Sequence, residues 1–275
     1  MRTAIQVLVA AALLWAAPAA SGNGGPVPTA MQGWDGVASG DVRYVAVPAG
    51  ENTILQMIKR STGRVLRWTL VQGSFGIPQV AFDGTTDGLS RDGRTLVLED
   101  VGASSTTTFA IVDVWKFRHR RTIKLRGDFS FDAMSPGARM LYLVERLSTQ
   151  DLLKYRVRSY DLGAERMLPT AVVDKRSQES EMQGMPFSRA TSKEGRWAYT
   201  LYAGGPHPFV HALNTSRATA FCIDLPHSWT DFDASSMRLR VRSSSRLLIK
   251  HRSGGKPLAV LDVAKFRVVS AVGNH

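Results

Sequence analysis

The stretch Thr191-Ser192-Lys193-Glu194-Gly195-Arg196-Trp197-Ala198-Tyr199 decides how this chain is read, because it recurs. Leu89-Ser90-Arg91-Asp92-Gly93-Arg94-Thr95-Leu96 repeats it, Ser39-Gly40-Asp41 and Ser135-Pro136-Gly137 keep its turn, and Ser243-Ser244-Ser245 is a worn copy. In each case a strand-like run reaches a serine, turns through polar residues or glycine, and leaves as a second strand-like run. Short polar side chains suit such turns because they hydrogen-bond the nearby backbone. Glycine suits them because it takes the left-handed conformation without steric cost.

A second turn recurs at nearly even intervals. Asp113, Asp161, Asn214 and Asp262 each end an apolar run, at spacings of 48, 53 and 48 residues. Stepping back 53 from Asp113 places the matching turn of the first stanza at Arg60. Apolar runs such as Tyr142-Leu143-Val144 and Leu258-Ala259-Val260-Leu261 are short and bounded by turn residues, the pattern of strands buried on both faces. Five stanzas of four short strands, each about 40 to 50 residues long, predict an all-β fold, a β-propeller of about five four-stranded blades. Their innermost strands are expected at Asp35–Ser39, Val80–Ser90 with an internal loop, Phe129–Met134, Phe187–Thr191 and Met237–Arg242. The third blade is expected to close with Arg166–Thr170. Val173–Met185 reads as a polar surface loop with room for a helical turn.

Composition agrees with a globular chain: 44% of the 275 residues are hydrophobic and 21% charged. Residues 1–21 differ from the rest. Arg2 precedes an apolar run from Val7 to Ala17, and Ala17-Pro18-Ala19 offers small residues for cleavage, so a secretory signal peptide is expected there. The run is shorter than the roughly 20 apolar residues that span a bilayer, and no later stretch reaches that length. Residues 22–31 read as a flexible leader and 32–275 as a single propeller domain. Cys222 is the one cysteine, so no internal disulfide forms, and its strand-like setting makes it a small core residue.

The hairpins beginning at Leu89 and Thr191 resemble the Ser-Pro-Asp-Gly-Arg hairpin of bacterial WD40-like, TolB-like and YVTN-type propellers, and within that group the chain looks like secreted actinobacterial propeller proteins of uncharacterised role. The likeness covers about residues 33–272. It implies the fold and is nearly silent on activity, since those groups include hydrolases, lyases and scaffolds. Five blades fall short of the usual six to eight, which implies a small ring or an arc that is open or completed by a second copy.

Aligning the innermost strands on their closing serines puts Gly36, Asp87, Asp132 and Arg189 in one register near the channel mouth. Two carboxylates facing a guanidinium there could clamp an anionic group or a cation. The plainer outcome is that they pair with one another and seal the channel. His207, in the loop after Ala203-Gly204-Gly205-Pro206, is a further contact candidate on the same face. Pro208 forbids a helix through His207 and His211, so the pair lacks the geometry of a helical zinc site. No nucleophile elbow, phosphate-binding glycine loop or Cys/His cluster occurs. Lys116-Phe117-Arg118-His119-Arg120-Arg121 reads as a solvated hairpin that could grip a polyanion. Trp34, Trp68, Trp115, Trp197 and Trp229 are expected to pack between blades.

The chain carries 35 basic and 23 acidic residues, a net charge of +12. Such a charge draws anionic polymers or surfaces, and serves solubility equally well. These readings lead to an exported, non-catalytic binding or scaffolding module of the cell envelope or extracellular space, with no cofactor. Its partner would be a protein or an anionic envelope polymer, nucleic acid being the poorer candidate for an exported chain. The alternative is a metal-dependent propeller hydrolase or lyase acting on a lactone or glycan, which requires carboxylates and histidine gathered at the channel mouth.

Overall fold

A computed structural model describes residues 30–102, 105–177, 180–229 and 233–272. The expected signal peptide, 1–21, and nearly all of the leader lie outside the described residues. Among the described residues, twenty-one strands form five antiparallel sheets. Blade 1 holds β1 (Val37–Ser39), β2 (Val42–Ala49), β3 (Asn52–Lys59) and β4 (Val65–Gln72). Blade 2 holds β5 (Phe75–Gly76), β6 (Thr95–Asp100), β7 (Thr106–Asp113) and β8 (Arg118–Arg126). Blade 3 holds β9 (Phe129–Met134), β10 (Met140–Arg146), β11 (Lys154–Asp161) and β12 (Arg166–Met167), with β13 (Met182–Gln183) also paired to β11. Blade 4 holds β14 (Met185–Thr191), β15 (Trp197–Ala203), β16 (Phe209–Asn214) and β17 (Thr219–Asp224). Blade 5 holds β18 (Met237–Ser243), β19 (Arg246–His251), β20 (Gly254–Asp262) and β21 (Arg267–Ala271).

Both recurrent turns do what their residues dictate. The Ser90 hydroxyl accepts the amides of Arg94 and Thr95 at 3.2 and 2.9 Å, and Ser135 accepts those of Arg139 and Met140 at 3.1 and 3.0 Å. Ser192 accepts from Trp197 at 3.1 Å. Three residues after each serine the backbone turns left-handed, at Gly93, Ala138 and Gly195. At the outer turns, side chains of Asp113, Asp161, Asn214 and Asp262 accept amides two or three residues on. Phe117, Glu165, Ala218 and Phe266, each four residues past the acceptor, then take positive φ. In blade 1 the left-handed residue is Gly63, so the matching position is Lys59, one residue before the expected Arg60.

Three features depart from expectation, the first being β13, which pairs with β11 inside the stretch 173–185 read as a polar loop. Blade 2 does not use Val80–Ser90 as its innermost strand. Pairing begins at Phe75 and Gly76, opposite Asp100 and Glu99, then stops for residues 77–87 and resumes where the Gly88 carbonyl accepts Val97 N at 2.8 Å. Pro78 has no amide to offer a ladder, and Asp83-Gly84-Thr85-Thr86-Asp87 is turn-forming, so this stretch leaves the sheet. Only glycine permits the return: Gly88 has φ +105°, and a Cβ there would lie 2.7 Å from the Val97 carbonyl oxygen. Blade 3 ends its outer strand at Met167, two residues before Pro169 would interrupt it.

Alternating side chains on each strand fill four joints between successive blades. Leu55 and Leu98 pack between blades 1 and 2, Phe109 and Leu143 between 2 and 3, Tyr142 and Leu213 between 3 and 4, and Leu201 and Leu261 between 4 and 5. Each side chain of this size contributes about 1.5–3 kcal/mol on full burial. Among the described residues, none of the four clusters joins blade 5 to blade 1. No helix among them is long and apolar enough to cross a membrane.

The tryptophans divide accordingly. Trp197 and Trp229 pack in the joint between blades 4 and 5. Trp34, Trp68 and Trp115 are 66%, 63% and 77% exposed, contrary to expectation. Gln56 and Trp68 are paired positions on the face of blade 1 turned away from blade 2, where Val45 is buried but, among the described residues, no hydrophobic cluster covers the outer strands.

Candidate functional site

Residues 77–87, ejected from blade 2, determine what lies between the innermost strands. The loop closes on itself through Val80 N to Thr85 O at 2.9 Å and Asp87 N to Pro78 O at 3.0 Å. It then reaches blade 4, where Phe82 N and Asp83 N donate to the carbonyls of Pro186 and Phe187 at 2.9 and 3.1 Å. The Ser188 hydroxyl donates to Asp83 Oδ2 at 2.7 Å and accepts Leu239 N of blade 5 at 2.9 Å. On the other side, the Thr86 hydroxyl donates to the Gly36 carbonyl, just ahead of β1, at 3.1 Å. One loop from blade 2 therefore ties blades 1, 4 and 5 across the centre.

Asp132 and Arg189 meet beside this loop. Asp132 is the unmatched residue of a bulge in β9, where Ala133 faces Tyr142 and Phe131 faces Leu143. A bulge re-aims its extra side chain, and this carboxylate ion-pairs with the Arg189 guanidinium, both side chains being almost wholly buried. Asp87 lies within electrostatic reach of the pair. Burial raises its pKa to about 6, the charge of Arg189 and a 2.7 Å bond from Gly88 N oppose the rise, and Asp132 adds to it.

Three of the four sequence candidates therefore share one neighbourhood, in which Arg189 is already paired. His207 lies elsewhere. It lines a groove of about 870 Å³ between blades 3 and 4, with Lys154, Asp174, Arg176, Phe209 and Asp224 among its walls. There the His207 Nε2 sits 3.0 Å from Asp224 Oδ1, and its ring lies 5.4 Å from that of His227. Burial alone would raise the Asp174 carboxyl, but bonds from Arg176 and from the Cys222 amide outweigh it and hold the group below the usual carboxylate range.

Sequence reasoning missed the link between these regions. Arg189, Thr200, His211 and Cys222 pair in register across the four strands of blade 4, forming one polar row from the centre to the groove. His211 is buried, which lowers its pKa to about 4, with Asp132 opposing and Arg189 reinforcing the shift. Tyr155 and Tyr202 stack beside the row at 5.0 Å and, with Ser130, Asp132 and Arg146, line a cavity of about 30 Å³. Alternation along single strands could not have found the row, because it takes one residue from each strand and depends on cross-strand register.

The basic stretch of blade 2 is only partly solvated. Phe117 is buried with its ring 6.4 Å from Tyr44 and the Arg67 guanidinium 4.9 Å above it, and Arg121 pairs with Glu165. Among the described residues, no three His, Cys, Asp or Glu side chains gather where they could hold a metal ion.

The chain matches no protein-family model and no curated protein. It is similar in structure to a functionally unknown protein from Desulfotomaculum acetoxidans, at 12% identity over 86% of this chain with a TM-score of 0.49. It is also similar to TolB from Acinetobacter baumannii, at 10% identity over 82% with a TM-score of 0.44, and to the Cps50 β-propeller domain from Myceliophteria thermophila, at 12% over 82% with 0.45. The chain spans 65%, 50% and 65% of those three chains, less than two thirds of each. No activity passes from them to this chain; the propeller architecture rests on its five antiparallel sheets, each an ordered run of four strands, with β13 added to the third.

Proposed function

We propose that this protein is a non-catalytic binding or scaffolding module, exported to the cell envelope or beyond it. The observation that carries the reading is the loop 77–87, which crosses to blade 4 beside a buried Asp132–Arg189 ion pair, with Asp87 in electrostatic reach of it. A carboxylate and a guanidinium paired in this way join blades 3 and 4 and are poorly exposed to a substrate, although Asp132 Oδ2 and Arg189 Nε and Nη1 carry no partner of their own. Ligand contact then falls to the outer surfaces, with His207 in the groove of blades 3 and 4 as the contact candidate and the buried pair beside loop 77–87 as the clasp that keeps those surfaces rigid.

The test is localisation together with turnover. Expressed with a C-terminal tag in a bacterial cell, the protein should be recovered outside the cytoplasm with its N-terminus cut near residues 19–21. The purified form should not hydrolyse lactone or glycoside substrates, with or without added divalent metal. A cytoplasmic, full-length product would overturn the export reading, and metal-dependent turnover would overturn the non-catalytic one.

A further inference from the structure

Blade 5 differs from the rest of the chain in its charge. Residues 237–272 hold nine of the 35 basic residues and one of the 23 acidic ones, so they supply eight of the twelve net positive charges. That single acid, Asp262, is taken by Arg246 at 2.8 Å. Among the described residues no carboxylate lies within ion-pair distance of Arg238, Arg240, Arg242, Lys250, Arg252 or Lys256.

Strand register places three of these charges, Arg238, Arg240 and Lys250, on one side. Leu239, Ile249, Ala259 and Leu261 point into the joint with blade 4. Arg238, Arg240, Leu248 and Lys250 alternate with them and pair as Arg238 with Lys250 and Arg240 with Leu248, so they occupy the face turned away from blade 4. Leu248 is itself buried there, and among the described residues no buried hydrophobic cluster covers the face. Arg240 and Arg242 are exposed, while Arg238 is half-buried, with its Nε unpartnered and one Nη bonded to the Arg252 carbonyl at 3.0 Å.

We infer that this face binds an extended polyphosphodiester chain, of the polyol-phosphate kind rather than nucleic acid. The inference rests on the binding-module reading and names the partner of one outer surface. Residues two apart on a strand recur every 6.6 Å or so, which suits a polymer carrying one charge per short repeat. The fork of arginine matches phosphate geometry better than lysine does, and the unpaired cations at β18 are all arginines. Single-stranded nucleic acid needs aromatic platforms for its bases. The one aromatic ring of blade 5, Phe266, is stacked 3.9 Å from Phe221 on the blade 4 side, so the basic face offers none.

The experiment measures binding of purified full chain to synthetic poly(glycerol phosphate) across a salt series. Parallel arms use single-stranded DNA of equal charge, poly-glutamate, and vesicles containing phosphatidylglycerol. Poly(glycerol phosphate) should bind at least tenfold tighter than each of the others. Arg238→Gln with Arg240→Gln should weaken that binding at least tenfold and lower the slope of log affinity against log salt by about 1 to 2. Arg118→Gln with Arg120→Gln, which removes the same charge from blade 2, should change it less than twofold. Equal losses in both double variants would reduce the effect to net charge and overturn the inference, as would tighter binding to any other arm. Should the first double variant fold poorly, the exposed Arg240→Gln alone should still weaken binding about threefold, and no loss there overturns the inference. Because the purified chain is used, failure here leaves the export and turnover tests of the broader reading untouched.

Discussion

Arginine serves opposite ends at the centre of this molecule and on its fifth blade. Arg189 is buried, faces one carboxylate and lies near a second, and sits where a loop from blade 2 locks onto blade 4. Arg240 is exposed and, among the described residues, has no carboxylate within ion-pair distance and no buried cluster over its face. A buried charge costs several kcal/mol in desolvation and persists only when its partners offset it, whereas an exposed charge costs almost nothing and is free to meet something else. The centre therefore uses charge to specify packing, and blade 5 leaves charge available for recognition.

The largest effect should come from splitting the central pair. Arg189→Met leaves Asp132 buried without its counter-ion and should destabilise the fold by about 3–5 kcal/mol in urea unfolding. Adding Asp132→Leu to the same chain should recover much of that loss, since two apolar groups replace a matched pair. If Arg189→Met costs less than 1 kcal/mol, the centre is no different from the surface and the comparison collapses.

Next in size is the clasp between blades. Ser188 is fully buried, donates to Asp83 and accepts from Leu239 N. Ser188→Ala leaves a buried amide without an acceptor and should cost about 1–3 kcal/mol. Hydrogen exchange sharpens the point: protection should fall at Phe82 and Asp83, whose amides bind blade 4, and at Leu239. Exchange that changes at Leu239 alone would show that loop 77–87 is held by its backbone bonds and not by this hydroxyl.

Acidity offers a third probe of the interior. Glu99 is buried and accepts Phe131 N at 2.9 Å; burial raises its pKa to about 8, against opposing contributions from that bond and from Arg146. The folded state thus keeps a proton that the unfolded state has already lost above its ordinary value of 4.5. Stability falls as pH rises wherever the native state binds more protons, so this contribution is complete below that value and lost on approach to pH 8. Over pH 6.5–8 the shift of Asp87, to about 6, no longer acts, and that of His211, to about 4, leaves only a small opposing tail near pH 6.5. The stability should decline there by up to about 2 kcal/mol, and Glu99→Gln, which still offers an acceptor to Phe131 N, should flatten the slope. A profile equally steep in Glu99→Gln would assign the dependence to another group.

How much of this was legible in the chain follows from distance along it. The blade count and most strand ends were readable because each turn is a local device: a serine hydroxyl accepting amides four or five residues on, then a residue that tolerates positive φ. Loop 77–87 could be suspected from Pro78 and its run of Asp, Gly and Thr, but its destination could not, since Asp83 and Ser188 lie 105 residues apart. Asp132 and Arg189 were aligned by their serines without any sign that a bulge would aim one at the other. The polar row of blade 4 requires cross-strand register, which the order of residues does not state. Blade 5 hides its sidedness in the same way: its basic residues were visible as composition, and alternation placed Arg238, Arg240 and Lys250 on one face only once Leu239 and Ile249 were seen packed on blade 4.

The smallest expected effect is the one that keeps the two regions distinct. Among the described residues Arg240 meets no acid and rests on no buried cluster, so Arg240→Gln should change the unfolding free energy by no more than about 0.5 kcal/mol. The same substitution should weaken polyphosphodiester binding, so the two measurements on one variant separate recognition from folding. A loss of 2 kcal/mol or more would mean that Arg240 holds the blade together much as Arg189 holds the centre. In that case any drop in binding would follow from a damaged sheet, and the basic face would lose its standing as a surface left free for a partner.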